Sequence, residues 1–238
     1  VSFVKNPGRL VGLLYLLVSI PGAFALIYVP DKLIVHGNAA ATAANIAANQ
    51  TLFRMGIACN LVMEVLFIGV ALALYELLKG VNQRHALLMV GLIVVPLPIV
   101  LLNELNSIAA LMLVRGADFL SVVDKPQRDA LAMLFLNLHS RGFDIAGIFW
   151  GLWLFPLGLL VYKSGFLPRF LGILLMLRCL AYVVESLDPF LFPQYEAIIS
   201  QWMRPLRFGE LLFMFWLLIV GAKPKTSKHQ PVCTRQKN

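Results

Sequence analysis

Six apolar runs dominate the chain, near residues 10–29, 52–78, 86–114, 130–162, 166–184 and 206–222, and short charged or proline-bearing stretches part them. About 20 apolar residues in a helix cross a hydrocarbon core of about 30 Å. No water is available there, so each backbone amide must be satisfied within its own segment. The pattern predicts an all-α polytopic integral membrane protein of about six transmembrane helices. Composition points the same way: 60% of the residues are hydrophobic and 13% charged, where a soluble domain carries about 25% charged residues.

The first run is too long for the apolar core of a signal peptide and has no small-residue cleavage site behind it, so it reads as a retained span. Between spans one and two lies the alanine-rich stretch 38–49. Asn38 suits an N-cap and the alanines favour helix, but the stretch is too weakly hydrophobic to span, and a short interfacial helix is expected. Asp124, followed by Pro126, should cap the fourth helix. Residues 1–222 then form one transmembrane domain, and 223–238 a basic tail with no apolar period, expected to be disordered.

The net charge of +8 does not indicate a nucleic-acid partner, because the positives fall in clusters between apolar runs and build no basic face. Lys5, Arg9, Lys79, Arg84, Lys163, Arg169, Lys223, Lys225, Lys228, Arg235 and Lys237 share one side of the expected bundle, with Glu76 the nearby acid. The other side mixes both signs. The bias of Lys and Arg places the first side in the cytoplasm, which predicts a cell inner-membrane protein with both termini inside and the lipid bilayer as its first partner.

Ionisable groups at bilayer depth cost a few kcal/mol or more and demand a partner, a cavity or a function. Asn60 and Glu64 share one face of span two; Asn103 and Glu104 lie in span three, beside Asn106 and Ser107; His139, Arg141 and Asp144 open span four; Arg178 and Glu185 lie in span five; Arg207 and Glu210 open span six. Their positions cluster in the outer half of the membrane. A polar cavity opening outward is expected, formed by Asn60, Glu64, Asn103, Glu104, His139, Asp144, Arg178 and Glu210, with Glu64 near its floor. Arg178 at comparable depth is the expected partner of Glu64. The plainer alternative is that the arginines and outer acids form inter-helix ion pairs that only fix the packing.

Glu64, Glu104, His139 and Asp144 have no HxxxH or ExxH spacing, so no metal site is expected. The three cysteines show no paired spacing. No GxSxG, P-loop, HExxH or GxGxxG motif is present, and no cofactor is implied. Two functions remain. One is binding or transport of a small molecule or lipid in the polar cavity. The other is an intramembrane enzyme that protonates a lipid or isoprenoid through a buried acid, with Phe149, Trp150, Trp153 and Phe155 shielding a cation. Pro21, Pro96, Pro98 and Pro156 suggest kinks, and Gly147, Gly151 and Gly158 close helix contacts.

Several strings in order along the chain carry a resemblance: Arg9-Leu-Val-Gly-Leu-Leu-Tyr15 through Ile20-Pro-Gly22, Leu138-His139, the run 149–162, and Ser164-Gly-Phe-Leu-Pro-Arg-Phe-Leu-Gly172. Over residues 9–222 the chain resembles the DUF4386 family of bacterial multi-pass membrane proteins. Leu177-Arg178-Cys179 departs from that pattern, where small or apolar residues are implied. The resemblance implies a membrane topology and no particular activity.

Overall fold

A computed structural model describes residues 6–223; the basic tail from residue 224 onward lies outside the described residues. Among the described residues every regular element is helical. The first pass joins α1 (Pro7–Ala23), a π-helical turn (Phe24–Tyr28) and α2 (Val29–Leu33). Then come α3 (Ala39–Ala48), α4 (Gln50–Leu78), α5 (Gln83–Val94), α6 (Pro96–Arg115), α7 (Lys125–Leu152), α8 (Leu154–Ser164), α9 (Arg169–Leu191), α10 (Glu196–Met203) and α11 (Phe208–Ile219).

Prolines set the interruptions. Proline lacks the amide donor and clashes with the carbonyl four residues back, and the third and fourth passes break at Val95, just before Pro96, and at Trp153, three residues before Pro156. In the first pass Pro21 lies within α1, and the π-helical turn follows three residues later. The caps are local: Asn38 accepts from the Ala41 amide and Asp124 from the Gln127 amide.

Five helical segments, 7–33, 50–78, 83–115, 125–164 and 169–191, are long and apolar enough to cross a membrane. The chain is therefore an all-α, multi-pass membrane protein in contact with the lipid bilayer. The expected sixth span is shorter than the sequence suggested. Helix α11 has 12 residues, about 18 Å at 1.5 Å per residue: a 3₁₀ turn over Arg204–Arg207, with Pro205 in it, takes the first two residues of the expected span, and the helix ends at Ile219, before Gly221 at positive φ (80°), which removes the last three.

The passes run antiparallel to their neighbours, with α1 against α4 and α11, α6 against α7, and α7 and α8 against α9. The path closes on itself: the Gly8 amide donates to the Ala222 carbonyl at 3.0 Å, and the Ala222 amide donates to Asn6 Oδ1 at 3.1 Å. The two ends of the described chain therefore meet at one end of the bundle. Glycine permits the close approaches. A Cβ on Gly8 or Gly12 would meet the backbone of Ala222 or Leu218, and one on Gly158 would meet the Gly172 carbonyl. The structure thus places Gly147, Gly151 and Gly158 against α9.

Two apolar clusters result. The larger, towards the termini, includes Tyr15, Met63, Val70, Leu74, Ile93, Trp153, Leu157 and Phe213. The smaller joins Val29, Leu33, Ile46, Phe53, Leu111 and Leu136 at the far end, where α3 packs on α6 and α7. Trp153 stacks with Tyr15 and meets Phe67 edge-on, and Phe155 is exposed.

Candidate functional site

Between the two apolar clusters lies a polar layer contributed by α4, α6 and α7. The spacing of four residues puts Asn60 and Glu64 on one face of α4, and both turn inward with 4% and 2% of their surface exposed. On α6, Asn103, Glu104 and Ser107 are all buried. On α7, His139 is the partly exposed member, its side chain 19% accessible.

Glu104 is the hub. Its Oε1 accepts from Asn60 Nδ2 at 2.7 Å and lies 2.9 Å from His139 Nε2. Asn103 secures the third helix: its Nδ2 donates to the His139 carbonyl at 2.8 Å, and its Oδ1 accepts from Asn106 at 3.0 Å. Gly142 makes this possible, since a Cβ there would occupy the space of the Asn103 amide group.

The layer has more acceptors than donors. Asn60 Oδ1, Glu64 Oε2 and Glu104 Oε2 are buried without a hydrogen-bond partner among the described residues. A small cavity of about 50 Å³ adjoins Asn60 and Glu104, lined by these two, Ser107 and His139 on one side and by apolar residues including Val29, Leu33, Phe53 and Leu136 on the other; Glu64 lies on the same face of α4 as Asn60 but does not line it. No Lys or Arg lines it. That volume is enough to hold water or a compact ion. Among the described residues no group of three or more His, Cys, Asp and Glu side chains is arranged to hold a metal ion.

Three residues expected in one cavity with these lie elsewhere. Asp144 pairs with Arg141 at 2.9 Å, and Arg141 reaches Glu196 at 3.7 Å. Glu210 accepts from the Tyr15 hydroxyl at 2.6 Å. Arg178 is not the partner of Glu64: its Nη1 donates to Glu185 Oε2 at 2.7 Å, and its guanidinium lies 4.3 Å from the Tyr182 ring centroid. The reason is helical register. Glu185 lies seven residues along on the same helix, two turns away on the same face, so α9 neutralises its own arginine. Arg207 closes on the other oxygen, Glu185 Oε1, through two donors at 3.0 and 2.8 Å. This second cluster pins α11 and its leading turn to α9.

Sequence reasoning passed over Asp188, which is buried with Oδ1 unpartnered. Asp188-Pro189 reads as a loop signal, but α9 continues through it to Leu191. The apolar walls of the cavity had no signal either, since Val29, Leu33 and Leu136 differ in no way from lipid-facing residues by type.

The model of a family described as a domain of unknown function, DUF4386, matches residues 10–221. A protein of Archaeoglobus fulgidus named "Uncharacterized protein" is 33% identical over 160 residues, covering 67% of this chain and 79% of that protein. No solved structure matches. The family match extends across all five long helices and α11, with the polar layer inside it, and the chain belongs to the DUF4386 family.

Proposed function

We propose that the polar layer binds a compact cation, a proton or a monovalent metal ion, within the membrane, with Glu64 and Glu104 as the charged ligands and Asn60 as a neutral one. The observation that carries this reading is the set of three buried acceptor oxygens, Asn60 Oδ1, Glu64 Oε2 and Glu104 Oε2, that no donor among the described residues meets. An unsatisfied buried polar atom costs about 1–3 kcal/mol, more when charged. Glu104 has the His139 imidazole beside it, and Arg178 and Arg207 are committed to Glu185. A bound positive charge removes the deficit; packing alone leaves it.

The cavity of about 50 Å³ beside Asn60 and Glu104 suits a compact occupant. With the cation bias setting the termini in the cytoplasm of a cell inner membrane, the layer lies in the outer half of the bilayer and His139, its partly exposed member, marks the route to water. Uptake from outside and passage across the membrane are then the functions of this site.

The test is thermal unfolding in detergent with NaCl, KCl or choline chloride at equal ionic strength, alongside proteoliposomes that report internal pH. A rise in Tm specific to one metal ion, lost in Glu64→Gln, identifies a metal cation; a Glu64-dependent pH change without such a rise identifies the proton. Wild-type responses from both Glu64→Gln and Glu104→Gln in every arm would overturn the reading.

A further inference from the structure

The segment between α9 and α11 presents its large apolar side chains away from the protein. On α10 and its leading turn, Tyr195, Ile198 and Trp202 follow the three- and four-residue spacing of one helix face and are 52%, 54% and 76% exposed. Ile199, Ser200 and Met203, on the other face, are half-buried, and α10 packs on α9. Phe192 and Phe208 flank the segment and are exposed too. Arg204 follows directly, exposed and without a hydrogen bond or ion pair among the described residues.

Depth locates this strap. Helix α9 has 23 residues, about 35 Å at 1.5 Å per residue, and crosses the hydrocarbon core unaided. Gly209, in the first turn of α11, packs against Leu174, which lies seventeen residues short of the far end of α9, about 25 Å along its axis. The segment therefore runs from the end of α9 down into the bilayer before α11 begins. With the about 18 Å of α11 it spans the core thickness of about 30 Å, so α10, at its upper end, lies at the interface and not in water. Exposed tyrosine and tryptophan suit the head-group region, and an amphipathic helix with aromatic anchors lies in the plane of the interface.

We propose that residues 192–208 form an interfacial strap and that Arg204 binds the phosphate of a phospholipid seated over it, the acyl chains lying against Ile198, Trp202 and Phe208. The complementarity is chemical: a guanidinium without a partner among the described residues meets phosphate with two parallel hydrogen bonds, and the exposed apolar side chains of the same segment accept the tails. The site is separate from the polar layer, whose residues come from α4, α6 and α7.

The experiment uses the full chain in a phosphate-free maltoside detergent. Dioleoylphosphatidylglycerol should raise Tm by several degrees, whereas dioleoylglycerol, with the same tails and no phosphate, and inorganic phosphate alone should not. Arg204→Gln should keep the lipid-free Tm and lose most of the gain. A gain that persists in Arg204→Gln, or that dioleoylglycerol or inorganic phosphate reproduces, overturns the phosphate site. In nanodiscs, a nitroxide replacing Trp202, in a variant without native cysteines, should report a depth near the phosphates. A fully water-exposed label would overturn the strap itself.

Discussion

The side-chain amide of Asn60 donates to Glu104 Oε1 at 2.7 Å and so ties α4 to α6 at the level where the two apolar clusters part. The contact consumes one Glu104 oxygen and leaves the other, with Asn60 Oδ1 and Glu64 Oε2, facing no donor.

Removing that donor should be costly. Asn60→Leu leaves Glu104 with His139 alone, and stability should fall by about 1–3 kcal/mol, read as Tm in detergent. Glu64→Gln should behave oppositely. The amide adds donors to an acceptor-rich layer, so the cation-free protein should be as stable as the wild type or more so. A Glu64→Gln protein that unfolds well below the wild type would place Glu64 in an unseen structural pair.

The ion pair on α9 makes a second prediction. Arg178→Leu removes one partner of a buried pair, and the loss should be on the order of 3 kcal/mol. A double-mutant cycle with Glu185→Leu should show coupling of about 0.5–3 kcal/mol, whereas one with Glu64→Leu should be additive. Coupling to Glu64 instead would contradict the contact at 2.7 Å.

Membrane class, the five long spans, the Asn38 and Asp124 caps and the grouping of Asn60, Asn103, Glu104 and His139 were legible because each follows from local pattern: apolar length, a capping side chain, or a polar residue where lipid forbids one. The division of the polar residues into separate clusters was not legible. Depth along a helix can be counted from sequence, but rotation about the helix axis and choice of neighbour cannot. Arg178 and Glu64 share a depth and still face different partners, because α9 supplies Glu185 on Arg178's own face. The short α11 escaped for a related reason: residues 206–222 are apolar enough to span, and composition does not reveal the turn at Arg204–Arg207 or the one at Val220 and Gly221 that bound the helix.

Close helix approach gives a third prediction. Gly12 faces the α11 backbone at Leu218, while a Cβ at Gly69 would meet nothing within 4 Å. Gly12→Leu should cost about 1–3 kcal/mol or more through overpacking, and Gly69→Leu, on an equally apolar span, should leave Tm nearly unchanged. Equal effects would show that hydrophobicity and not fit governs this seam.

Topology can be read chemically. With Cys59 and Cys179 replaced by Ala, Cys233 is the remaining thiol. If the cation-rich end is cytoplasmic, a membrane-impermeant maleimide should label it only after cells are opened. Labelling of intact cells would invert the orientation and turn the polar layer towards the cytoplasm.

The hydrogen bonds that join Asn6 and Gly8 to Ala222 have a consequence for how the order of the chain relates to its architecture. Backbone that begins and ends within bonding distance forms a loop in space, so its starting point is arbitrary as far as packing is concerned. A short linker from residue 222 to residue 6, with new ends cut at residues 79–82 between α4 and α5, should give a circular permutant with the same helix neighbours. Such exchanges succeed at exposed turns, and here the new ends would emerge on the same face of the membrane as the old ones.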